Sequence, residues 1–168
     1  MPTLSLRTMR PVLLLLRVLI ALNLVALALF LLILAGSFTN VVATAIAEDH
    51  PGASRETLLL SVRSVMLIGI LVVPFAHILL TRLRDIVRTV EAGDPFVPSN
   101  ADRLKTIAWC LLVIQLLDLA FGGLAYVVDP KFDWSFGLTG WIAVVLLFVL
   151  ARVFEHGTAM RDELAGTV

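Results

Sequence analysis

Three things are scarce in this sequence, and each scarcity excludes a class of protein. There is one cysteine, Cys110, among 168 residues. That excludes an internal disulfide framework and any paired-cysteine redox or zinc-knuckle motif. Charge is the second: only 15% of residues are Asp, Glu, Lys or Arg, where a soluble domain carries about 25%. The third is an excess of either sign. Thirteen basic residues balance thirteen acidic ones, so nothing marks the chain as a direct nucleic-acid binder.

What fills the chain instead is apolar. Hydrophobic residues make up 60% and the mean hydropathy is +0.99. A water-soluble fold of this size leaves too much surface wet to hide that excess. The composition therefore points to the lipid bilayer as the solvent. A helix needs about 20 mostly apolar residues to cross it. Four stretches qualify: Val12 to Ala35, Leu58 to Leu80, Ile107 to Val128 and Leu138 to Phe154. Leu and Ala dominate them, and no in–out alternation indicates a barrel. The expected fold is all-α, a single-domain integral membrane four-helix bundle. Ala45-Ile46-Ala47 resembles a cleavage site, but the first apolar run is too long and ends too early, so it reads as an uncleaved anchor.

Basic residues give an orientation. Arg7, Arg10 and Arg17 precede or open the first span. Arg82, Arg84, Arg88, Arg103 and Lys105 lie between the second and third, and Arg152 and Arg161 close the fourth. The other side has Arg55, Arg63 and Lys131. The positive-inside rule then places both termini and the middle loop in the cytoplasm. Arg17 reads as a snorkelling anchor. Ala21, Ala28 and Ala35 form a small-residue stripe suited to close helix contact. Phe132, Trp134, Phe136 and Trp141 read as an interfacial aromatic belt.

The connections carry turn chemistry. Pro51-Gly52 and Asp129-Pro130 mark turns on the outer side. Ser54 is placed to cap the second helix, with Glu56 in its first turn. Beyond Leu80 the amphipathic pattern continues through Leu83, Ile86, Val87 and Val90, so helix two should run on for about three turns, some 15–18 Å. Gly93 is the expected stop, Pro95 and Pro98 stiffen the bend, and Ser99 or Asn100 should cap helix three. Helices two and three would then project into the cytoplasm as a hairpin. Its apolar face needs cover, from Phe154, Met160 and Leu164 of the tail or from a partner.

Two segments carry a family resemblance. One is Gly93-Asp94-Pro95-Phe96 with Asn100 and Arg103-Leu104 at the start of span three. The other is Phe154-Glu155-His156-Gly157 followed by the acidic tail that contains Glu163. With four spans they resemble the bacterial membrane family known as domain of unknown function two-nine-seven-five. The resemblance extends over nearly the whole chain and implies a four-helix inner-membrane protein without assigned activity. Genes of such proteins often adjoin one for a small helix-turn-helix regulator, which implies a cytoplasmic transcription regulator as partner. It carries over no catalytic residues. Gly93, Pro95, Phe96, Asn100, Arg103, Phe154, Gly157 and Glu163 are thus the expected interaction motif, with Arg103 free to meet phosphates or Glu163.

Ionisable groups inside a span are the other place to look for function. Asp118 lies at the middle of span three, where an aspartate costs about 2.5–3.5 kcal/mol on insertion scales. Leu111, Gln115, Asp118, Gly122 and Ala125 share its stripe, which should face the bundle. Arg63, Gln115, Asn23 and Asp118 are the expected intramembrane polar core, with Arg63 reaching down to the carboxylate. His77 sits one turn after a kink expected at Pro74. It shares a level with Cys110 and His156, which raises zinc or haem, but no paired-histidine motif supports either and no cofactor is expected. No catalytic motif assembles. The reading is a non-enzymatic sensor or interaction protein, with a small oligomeric transporter or channel around Asp118 as the alternative, the homo-oligomer supplying the path.

Overall fold

The computed structural model describes residues 5–39, 42, 44, 45, 54–128 and 134–165, without the side chains of 5–8, 127, 128 and 161–165. The expected turns at Pro51-Gly52 and Asp129-Pro130, and the side chains of Glu163 and Leu164, lie outside the described residues.

The fold is all-α. Its long helices are α1 (Ser5–Gly36), α2 (Arg55–Glu91), α3 (Pro98–Val128) and α4 (Leu138–Ala165). All four are long and apolar enough to cross a membrane, so the chain has the build of a multi-pass membrane protein. In hydrocarbon this follows from backbone chemistry, because a helix satisfies its own N–H and C=O groups.

The caps explain where α2 begins and ends. Ser54 Oγ accepts from the Thr57 amide at 3.2 Å, and Glu56 stands in the first turn. The helix then runs unbroken through Pro74 and continues to Glu91, as its amphipathic tail predicts. At the far end Gly93 takes φ +85°, the Gly93 amide donates to Val90 O at 3.1 Å, and the Asp94 amide donates to Thr89 O at 3.0 Å. These two bonds form the Schellman stop that a glycine at this position allows. Helix α3 starts at Pro98, two to three residues earlier than a cap at Ser99 or Asn100 requires. Proline is preorganised for a first helical position, so both residues fall inside the first turn. Helix α4 runs past Phe154 to Ala165.

The packing is serial. Helix α1 packs on α2, α2 on α3 and α3 on α4, and among the described residues no other pair of helices approaches closely. The closed bundle expected from the sequence is instead an open row of antiparallel neighbours. The α1–α2 seam follows a heptad: Leu16, Asn23, Phe30 and Ser37. Asn23 Nδ2 donates to Val73 O at 3.2 Å, and the Phe30 ring lies over Gly69, 2.8 Å from where a Cβ would stand. Ala21, Ala28 and Ala35 are all exposed, so the small-residue stripe faces away from this seam.

The core sits toward the hairpin. Ala101, Leu104, Ile107, Ala108 and Cys110 of α3 are buried with Val144 and Ala151 of α4. Three alanines at that contact bring the backbones close, which is how helices associate where lipid removes the hydrophobic drive. Farther along, Trp109 meets Phe148 edge to face at 5.4 Å.

Gly93 tests the hairpin. An L side chain in the left-handed region costs roughly 1–2 kcal/mol. Gly93→Ala should lower the stability of the detergent-solubilised chain by about that much, read by a denaturation midpoint, and Gly93→Asn by less.

Candidate functional site

At the hairpin end one buried side chain joins two helices and the loop. Asn100 is fully buried. Its Nδ2 donates to Thr89 Oγ1 of α2 at 2.6 Å and to Pro95 O of the loop at 2.8 Å. Its Oδ1 accepts from Arg103 Nη1 at 2.7 Å. Thr89 passes its own proton to Ile86 O at 2.7 Å. Both amide hydrogens and one carbonyl lone pair are therefore used. Asn100 is not a helix cap but a crossbolt, and Arg103 is spent on orienting it.

The loop is in turn clasped by α4. Phe96 stacks on Phe154 at 5.4 Å between ring centroids, and its ring lies 3.6–3.7 Å from the position a Cβ would take at Gly157. Phe96 remains 46% exposed. Beside it, Glu155 bonds Lys105 of α3 and takes Arg152 Nη1 at 2.9 Å. The Arg152 side chain is 72% exposed, so that arm of the network adds little stability. On α2, Asp85 lies between Arg84 and Arg88 at 3.6 and 3.5 Å. Gly93, Pro95, Phe96, Asn100, Arg103, Phe154 and Gly157 of the expected motif thus meet at one end of the row. They present aromatic rings and charged groups on a braced frame.

The four residues expected as an intramembrane polar core are not brought together. Arg63 turns to the end of α1, where Nη2 donates to Ser37 O at 2.9 Å and Nε to Ser37 Oγ at 3.2 Å, with the guanidinium 4.3 Å above the Phe38 ring. A cation there answers the free carbonyls and the negative end of the α1 dipole. Asn23 serves Val73 O. Gln115 lies over Gly140 of α4, and Asp118 is exposed. The reason is register: antiparallel packing from Thr89 and Asn100 sets Arg63 opposite Tyr126 and Asp118 opposite Leu71, about 12 Å apart along the row. The signal for the Arg63 contact was present in the seven-residue spacing of Leu16, Asn23, Phe30 and Ser37, whose last member is Arg63's partner.

His77, Cys110 and His156 do not gather either. Cys110 is buried, His156 is exposed with Nδ1 3.1 Å from Arg152 O, and among the described residues no three His, Cys, Asp or Glu stand where they could hold a metal.

Removing the crossbolt takes a donor from the part-buried Pro95 carbonyl and Thr89 hydroxyl. Asn100→Ala should cost about 1–3 kcal/mol in a denaturation midpoint. Because Thr89 belongs to the same network, adding Thr89→Val to Asn100→Ala should cost less than the sum of the two single changes.

No curated protein and no solved structure matches the chain. A family described as a protein of unknown function (DUF2975) matches residues 41–168, which takes in α2, the hairpin, α3 and α4 and leaves α1 outside. The Gly93–Arg103 loop and the Phe154–Gly157 clasp both fall within the matched residues, and the chain belongs to this family.

Proposed function

We propose that the chain is a non-enzymatic protein of the bacterial inner membrane, with both termini and the α2–α3 hairpin in the cytoplasm. Its hairpin end engages a soluble helix-turn-helix regulator, the kind of partner that the family resemblance implies. The observation that carries this reading is the clasp of Phe96, Phe154 and Gly157. It welds the loop and the α4 extension into one rigid surface. Phe96 and Met160 remain 46% and 61% exposed there, beyond the apolar spans. Large apolar groups on a braced frame, with Arg152 close by, suit a protein partner with an apolar patch and acidic surroundings. The basic bias of this end supports the cytoplasmic orientation.

Two measurements test it. Val90→Cys and Ala165→Cys, each in a Cys110→Ser background, should react with an impermeant thiol reagent only from the cytoplasmic side. Labelling of the two from opposite sides overturns the topology. A purified regulator encoded beside this gene should be retained by the detergent-solubilised chain, and Phe96→Ala with Gly157→Leu should weaken retention by about tenfold or more, the loss of a central anchor. Equal retention by the variant, or none by the wild type, overturns the partner reading.

A further inference from the structure

At the end of the row away from the hairpin, α4 is short. Gln115 lies over Gly140, the third residue of α4, yet α3 continues to Val128. Helix α4 therefore begins about ten residues, or roughly 15 Å, below the top of α3. Trp134 lies against Gly122, and Trp134–Gly137 is not helical. Irregular backbone at that depth is tolerated only when protein covers it or water reaches it.

Asp118 opens into this notch. On its stripe it stands between Gln115, which touches Gly140, and Gly122, which touches Trp134. It is exposed, and among the described residues no side chain or backbone group is bonded to its carboxylate. From Trp134 on Gly122 an aromatic series continues: Trp134 to Phe136 at 6.4 Å, and Phe136 to Trp141 at 6.2 Å. Phe136 is 54% exposed, and among the described residues nothing stands within 4 Å of where a Cβ would project at Gly123 or Gly137.

We propose that this notch is a binding site for an organic cation, an ammonium bearing apolar groups, with Asp118 as the counter-charge and Phe136 and Trp141 as the wall. A single carboxylate cannot replace the several oxygens that a hydrated metal ion demands. A poorly hydrated ammonium needs one anion and the negative faces of aromatic rings. The site is at the opposite end from the partner surface and does not rest on it.

The probe is benzyltrimethylammonium, titrated into the full chain in nanodiscs and followed by calorimetry and tryptophan fluorescence. Wild type should bind. Asp118→Asn should bind about tenfold or more weakly, and Phe136→Ala about threefold to tenfold more weakly, with denaturation midpoints unchanged. Separately, Asp118→Cys in a Cys110→Ser background should react with an impermeant thiol reagent from the same side as Glu56→Cys, and the notch is then wet. Absence of wild-type binding at millimolar probe, Asp118→Asn binding within twofold of wild type, or failure of the Asp118→Cys variant to react with the reagent overturns the proposal.

Discussion

Apolar side chains gain nothing by hiding from one another in hydrocarbon, so these helices are held together by something other than greasy surface. A few polar bonds and close backbone approaches take that part. Arg63 on the carbonyl end of α1, Asn23 on Val73 and Asn100 across the hairpin are the bonds. Phe30 over Gly69 and the alanines between α3 and α4 are the approaches. Each lies between helices that are neighbours in the chain, and the open row follows from that. Among the described residues no polar side chain reaches across to a third helix, and lipid supplies no force to close the ring.

The density of such contacts is uneven, and the unevenness divides the molecule. Near the hairpin α2, the loop, α3 and α4 are bolted by Asn100, stacked through Phe96 and bridged through Glu155. At the other end α3 stands clear of the late-starting α4. One end is built to hold a shape and present it. At the other, among the described residues, nothing is bonded to the Asp118 carboxylate. The chain is thus tightly braced at one end and loosely packed at the other.

Features governed by neighbours in sequence were legible. Hydropathy marked the four spans, Ser54 and Gly93 marked the ends of α2, and the period of Leu83, Ile86, Val87 and Val90 carried α2 beyond the apolar run. The residues of the loop and the clasp were also legible as a group, because their motif is contiguous. What failed depends on register between helices. Pairing Arg63 with Asp118 assumed depths measured from estimated boundaries, and a shift of a few residues moved the arginine to Ser37 instead. Asn100 had the right chemistry for a cap, and its role as a crossbolt depends on Thr89 of another helix. Helix α4 starts at Leu138, where hydropathy placed it, and only its register against α3 was hidden.

Serial packing also bears on how the chain is made. Among the described residues the only earlier helix that each helix packs on is the one before it, so each can dock as it is made. No segment has to wait in the bilayer for a distant one, and contact order stays low. The exception is the aromatic clasp: Phe96 is threaded into place early and stays unstacked until Phe154, synthesised 58 residues later, arrives to meet it.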